Sequence, residues 1–267
     1  VPISLGAHSP KVAAVRALLT PRGRRERGLF AFEGPTLLSE ALAAGVQPEE
    51  VYATQAAWDA LGPVADQLAG TSYIVAERTL ARLSDVETPT GIVAVARRRI
   101  ETAGALLADP EPVLLLTGVA DPGNAGSLLR SAEIFGVDRV LFGADGVEPH
   151  NPKVVRASMG AIFRLRVAVA DQATFAAAVL SSGHIVVAAA RGAAPVAEFP
   201  FIERSVLAVG SERHGTARWL AAPDATVGIP HYGAGESLNA AAAGAIILYE
   251  FARRTGHSVA VSRPKKP

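Results

Sequence analysis

Between Ser205 and Glu250 one arrangement occurs twice: an apolar run gives way to a turn rich in glycine and small polar residues, which opens a helix-forming stretch. In the first, Val206–Val209 reads as a strand, Gly210-Ser211-Glu212-Arg213-His214-Gly215 as the turn, and a short helix follows. In the second, a strand ends at Ile229-Pro230, and a loop through Gly233, Gly235, Glu236, Ser237, Leu238 and Asn239 leads into a long Ala-rich helix. Joints of this kind leave backbone N–H groups open at a helix N-terminus, where they hold a nucleotide or another polar ligand. Two in series predict one composite pocket, and they restrict the fold to one in which strands and helices alternate.

The same alternation runs upstream. Val113-Leu114-Leu115-Leu116 is continuously apolar, as a strand buried on both faces of a parallel sheet should be. It runs into Asp121-Pro122-Gly123-Asn124-Ala125-Gly126 and a helix expected from Ser127 to Phe135. Val140–Phe142 is the next strand, and Asn151-Pro152 starts a helix that carries Lys153, Arg156 and Ser158 and stops at Gly160. Further strands fall near Arg166–Val169, His184–Ala189 and Thr226–Ile229, with a helix from Asp171 to Leu180.

Before this stretch, Val12, Val15, Leu18 and Leu19 recur at helical spacing, with Ser9 as N-cap and Pro10 at the first helical position. Pro21–Gly28 reads as a basic loop, either a solvated turn or a phosphate clamp made by Arg22, Arg24, Arg25 and Arg27, with Phe30 or Phe32 placed to stack on a base. Helices at Pro35–Ala44 and Trp58–Ala69 and strands at Leu29–Gly34, Val51–Ala53, Ser72–Ala76 and Gly91–Ala96 complete a small α/β unit. The expected organisation is therefore a first domain over 1–99, a linker over 100–111 rich in charge, Gly, Ala and Pro, a second α/β domain with a parallel sheet over 112–254, and a disordered tail over 255–267.

Composition removes several chemistries. There is no cysteine, hence no disulfide, no thiolate-ligated metal and no Cys nucleophile, and the six histidines are scattered, so no metal site is expected. A net charge of +1 is too small for bulk coating of nucleic acid, so any RNA contact must come from a local patch. No apolar run reaches the roughly 18–20 residues of a membrane span. Nothing at the N-terminus points to export, so a cytoplasmic globular protein is expected. The glycine spacing at Asp121–Gly126 departs from the dinucleotide fingerprint, and Gly210–Gly215 lacks the Lys-Ser/Thr of a phosphate-binding P-loop.

Taken in order, Asp121-Pro122-Gly123-Asn124-Ala125-Gly126-Ser127-Leu128-Leu129-Arg130, Val209-Gly210-Ser211-Glu212-Arg213-His214-Gly215, and Ile229-Pro230 followed by Glu236-Ser237-Leu238-Asn239-Ala240 resemble the three signature motifs of the SpoU (TrmH-like) branch of the SPOUT RNA ribose 2′-O-methyltransferases. Asn151-Pro152-Lys153-Val154-Val155-Arg156 fits the same family. Arg27–Gly34 with Thr88-Pro89-Thr90-Gly91 resembles its ribosomal-protein-like RNA-binding domain. The resemblance implies a SPOUT domain with a deep C-terminal trefoil knot, which physics alone would not predict. It also implies a homodimer through the knotted domain, and S-adenosylmethionine contacted at Gly210, Ile229 and Leu238.

Arg130 falls at the family's catalytic-base position, with Asn124, Glu212, Ser237 and Asn239 as orienting residues. Arg22, Arg24, Arg25, Arg27, Phe32 and Arg156 are the RNA-binding candidates. Ribosomal RNA is the expected substrate, with transfer RNA, a base-modifying enzyme or a non-catalytic RNA-binding protein as alternatives. His231 departs from the Met that often follows Ile-Pro, and places a titratable group beside the donor site.

Overall fold

The computed structural model describes residues 2–211 and 214–256, and the chain divides into two units. The first is Val1–Arg98 with His150–Phe163; the second is Arg99–Pro149 with Arg164 onward. Among the described residues no helix is long and apolar enough to cross a membrane. The tail read over 255–267 lies outside the described residues from 257 on.

In the first unit a five-stranded sheet has β1 (Ile3–Ser4), β2 (Leu29–Glu33), β3 (Glu50–Ala53), β4 (Thr71–Ile74) and β5 (Ile92–Arg97) in the order β1-β4-β3-β5-β2. β5 runs antiparallel to both neighbours, while β3, β4 and β1 are parallel. Its helices are α1 (Pro10–Ala17), α2 (Pro21–Arg27), α3 (Pro35–Ala43), α4 (Gln55–Leu61), α5 (Glu77–Leu80) and, from the later segment, α8 (Pro152–Ala157). Val12, Val15 and Leu18 of the predicted first helix pack with Ala31, Tyr52, Tyr73, Val93 and Val95 in the core.

The basic segment at Pro21–Gly28 is helix α2, not a loop. Thr20 caps it by accepting from Gly23 N–H at 3.1 Å, Pro21 takes the first position, and Gly28 ends it at φ 65. The Thr-Pro start and Gly stop signal this helix, and its arginines favour the negative end of the helix dipole. The helix expected over Trp58–Ala69 is interrupted at Gly62-Pro63, where 3-10 turns (Gly62–Gln67) replace α4.

α8 belongs with this first unit rather than with the second domain read over 112–254. Phe163 meets Phe32 edge-on at 5.0 Å, the His150 ring lies 4.4 Å from that of Phe30, and a Cβ on Gly160 would stand 2.8 Å from Cβ of Glu40. Gly160 is also at φ 96, so glycine is needed there on both counts.

The second unit is a six-stranded, wholly parallel sheet of β6 (Val113–Thr117), β7 (Arg139–Gly143), β8 (Arg166–Ala170), β9 (Ile185–Pro195), β10 (Ser205–Gly210) and β11 (Ala225–Gly228). The order is β11-β9-β10-β6-β7-β8. Every residue of β6 is buried, as its unbroken apolar run requires. The helices are α6 (Ala103–Leu106), α7 (Pro122–Ile134), α9 (Gln172–Ser182) and α10 (Ala240–Thr255). α10 lies across α7 at Gly244, where a Cβ would come within 2.2 Å of Leu128 Cδ2.

The stretch expected as a linker is built into this unit. Glu101 N–H donates to Val167 O at 2.8 Å, and its carboxylate takes two bonds from Arg166 at 2.9 and 2.7 Å, which hold it below the usual carboxylate range. Ala103, Leu106 and Leu107 then enter the core beside Val113, Leu115 and Phe175. Four helical residues make too short a period to be seen in sequence. The short helix expected after Gly215 is a run of turns.

Candidate functional site

From β6 the chain moves outward to β7 and β8, then returns to the other side through β9 and β10. The boundary between β6 and β10 is therefore a topological switch point, and ligands bind outside the C-terminal ends of strands at such points. Beyond β6, Gly118 turns at φ 61 and Asp121 caps α7, its Oδ1 accepting from Asn124 N–H at 2.7 Å. Pro122 holds the first helical position, so α7 begins five residues before the expected Ser127 and carries Asn124 in its first turn.

Asn239 is the N-cap of α10. Its Oδ1 accepts from Ala241 N–H at 2.8 Å and Ala242 N–H at 3.3 Å, and its Nδ2 donates to Asn124 Oδ1 at 2.8 Å. The first and third motifs, far apart in sequence, are thus joined side chain to side chain at the starts of two helices. Arg130, two turns along α7, is exposed and has no hydrogen-bond or ion-pair partner among the described residues. Glu212 lies outside the described residues.

Beside this junction a cleft of about 140 Å³ is lined by Ala189, Ala190, Arg191, Val227, Ile229, His231, Glu236, Ser237, Leu238, Ala243 and Ile247. Ile229, Ser237 and Leu238 thus line one cleft. Gly210 is not among the lining residues. A Cβ there would stand 1.9 Å from the carbonyl carbon of Gly215 and 2.4 Å from Thr216 N, so glycine is required by the return of the chain across the end of β10. Trp219 secures that return by donating from Nε1 to Asp145 Oδ1 at 2.8 Å.

Arg191 was not singled out from sequence. Its signal is the Arg191-Gly192 pair interrupting an apolar strand, the mark of a bulge. Thr226 of β11 pairs with Ala188, whereas the next residue, Val227, pairs with Ala194, so residues 189–193 leave the ladder.

In the first unit the RNA-binding candidates separate. Arg24 is 1% exposed and donates to Leu18 O at 2.8 Å; Phe32 is 3% exposed against Phe163. Neither reaches solvent, because α2 and β2 turn these side chains into the core. Arg22 pairs with Glu26 at 2.7 Å, and Arg156 with Asp85 at 2.8 Å. Arg25 and Arg27 are exposed and have no such partner among the described residues, as has Arg16 on the neighbouring α1.

Residues 111–249 match the SpoU rRNA Methylase family, and residues 9–94 match the MRM3-like substrate binding domain. The chain is 31% identical over 246 residues to the 23S rRNA (guanosine(2553)-2′-O)-methyltransferase RlmP of Bacillus subtilis (strain 168), covering 91% of this chain and 96% of that protein. An AdoMet-bound rRNA methyltransferase from Sinorhizobium meliloti superposes with a TM-score of 0.82 at 26% identity, over 94% of this chain and 97% of that one. A crystal structure described as an RNA 2′-O ribose methyltransferase gives 0.74 at 29% identity, over 95% and 99%. With motifs, fold and relatives in agreement, the chain belongs to the SpoU rRNA methylase family.

Proposed function

We propose that this chain is an S-adenosylmethionine-dependent methyltransferase that acts on a ribose 2′-hydroxyl of ribosomal RNA in the cytoplasm. The observation that carries the reading is the Asn124–Asn239 junction at the switch point, with the exposed Arg130 on α7 and the cleft of Ile229, Ser237 and Leu238 beside it. The residues fit the donor: buried Val227 and Ile247 offer the base an apolar wall, while the exposed polar groups of Glu236 and Ser237 face its charged part.

When bound, S-adenosylmethionine supplies an electrophilic methyl group. The chain's own residues hold the acceptor oxygen in line and stabilise the charge that develops as its proton leaves. A guanidinium is a poor base, so Arg130 steadies the alkoxide and the adjacent phosphate while water or another group takes the proton. Asn124 orients Arg130 or the ribose, Glu212 polarises Arg130, and Ser237 and Asn239 position the donor loop. Gly210 contributes by allowing the second motif to fold back on itself.

The second unit is read as a knotted dimer. After β11 at the sheet edge, residues 229–239 return to Asn124 and α10 packs on α7, a path that supports threading through the preceding loops. Along the packed α7–α10 pair, Ile134 is 71% exposed, and Ile246 and Tyr249 also face solvent. A second copy is the apolar partner that covers them. In the first unit Arg25, Arg27 and Arg16 supply the RNA contact.

The test is a substrate RNA with a single 2′-deoxy nucleotide at the mapped site. It should bind and accept no methyl group, and the ordinary product should resist alkaline cleavage at that linkage. Methyl transfer to the deoxy substrate would move the acceptor to a base and remove the role given to Arg130.

A further inference from the structure

The cleft is chemically two-sided. Its inner wall is apolar: Val227 and Ile247 are buried, and Ala189, Ala190, Ile229, Leu238 and Ala243 add no charge. Three ionisable residues line it, Arg191, His231 and Glu236, and all three are exposed, which puts them at its mouth. Arg191 is there because residues 189–193 swing out of the β9–β11 ladder, with Gly192 at φ 74 making the turn possible. Neither Arg191 nor Glu236 has a hydrogen-bond or ion-pair partner among the described residues. A fixed cation and a fixed anion on one apolar cleft form a complement for a ligand that joins a neutral flat part to a zwitterion.

Resting on the donor cleft read above, we propose that Arg191 and Glu236 form a clamp for the amino-acid end of S-adenosylmethionine: Arg191 binds the α-carboxylate and Glu236 the α-ammonium. The cleft of about 140 Å³ is smaller than the roughly 300–1,000 Å³ of a complete small-molecule site, so its apolar wall takes the base and the amino acid extends toward Arg191 and Glu236. A guanidinium presents paired N–H donors to a carboxylate, a match that an ammonium lacks. Arg191 is thereby a donor-binding residue outside the three signature motifs, carried by the strand that feeds the second of them.

The test compares two ligands on the full chain by calorimetry. S-adenosylhomocysteine keeps the amino acid; 5′-methylthioadenosine lacks it. Arg191→Ala should weaken S-adenosylhomocysteine by roughly tenfold, the scale of one charge-assisted contact, and leave 5′-methylthioadenosine unchanged. Glu236→Gln should do the same, and Arg191→Lys should recover part of the loss. Equal weakening of both ligands would mean that Arg191 only packs the wall, and unchanged affinity for both, with weaker RNA binding, would assign it to a phosphate; either overturns the clamp while leaving the donor cleft intact. If the parent chain binds neither ligand, the donor-cleft reading itself falls, and the clamp with it.

Discussion

A single amide joins two parts of the site: Asn239 caps α10 through Oδ1 and donates through Nδ2 to Asn124 at 2.8 Å. The two functions are separable. Asn239→Ser keeps a capping oxygen but is too short to reach Asn124, and should cost about 1 kcal/mol with a marked loss of turnover. Asn239→Ala removes the cap as well, and should cost about 2 kcal/mol. Urea midpoints of the three proteins read this directly, and a Ser variant as stable and active as the parent would show that the link carries nothing.

The arginines of α2 should divide by burial. Arg25→Ala with Arg27→Ala should leave the fold intact and flatten the salt dependence of RNA binding by roughly one to two counterions, at about 0.7–0.9 per phosphate. Arg24→Ala leaves Leu18 O without its buried donor and should cost about 1–3 kcal/mol. Its effect on RNA should follow the fraction folded; a specific loss of RNA affinity in a fully folded Arg24→Ala protein would contradict the burial.

At the α7–α10 crossing, Gly244→Ala drives a methyl group into Leu128 and should cost about 1–3 kcal/mol. Combined with Leu128→Ala, the loss should be less than the sum of the two single changes. Strict additivity in a thermal-unfolding cycle would place the contact elsewhere.

Acid should destabilise the first unit through His150. Burial, with repulsion from Arg98 and Arg24, pushes its pKa down from 6.5 to about 3. Between those values the unfolded chain binds the extra proton, so this contribution is full above the unfolded value and is lost as pH falls toward 3. At about pH 5 the loss is roughly 2 kcal/mol. His150→Phe should flatten that part of the stability profile, which carboxylates shared by both proteins do not affect. Parallel profiles would show that His150 protonates freely in the folded chain.

Arg130→Lys should keep donor binding and lose most turnover, because a point ammonium does not reproduce the planar fork that spans ribose and phosphate. Single-turnover rates beside donor affinity make the measurement. Parent-like turnover would show that charge alone suffices.

Much of the second unit was legible because its strands are continuous apolar runs closed by glycine turns, a pattern that local chemistry sets. The order of the motifs located Asn124, Ser237, Leu238 and Asn239, but not the bond between two amides, which depends on how the chain returns. Arg24 and Phe32 misled for a related reason: a basic or aromatic residue in a short segment carries no mark of the face it will take. The Thr20-Pro21 and Asp121-Pro122 pairs are helix N-terminal signals that the loop reading and the Ser127 start passed over, and they explain why α2 and α7 begin where they do. Gly210 was read as a donor contact; the structure adds a separate reason for glycine there, since a Cβ would meet residues 215–216 of its own chain.

The first unit is made from two separate pieces of chain, since His150–Phe163 returns to it after the second sheet has begun. A recombination that exchanged everything up to Arg98 would bring in a new sheet while leaving behind α8, with Gly160 shaped to the Glu40 of the old one. Exchange of the first unit would therefore have to carry both pieces, the chain up to Arg98 and His150–Phe163, together.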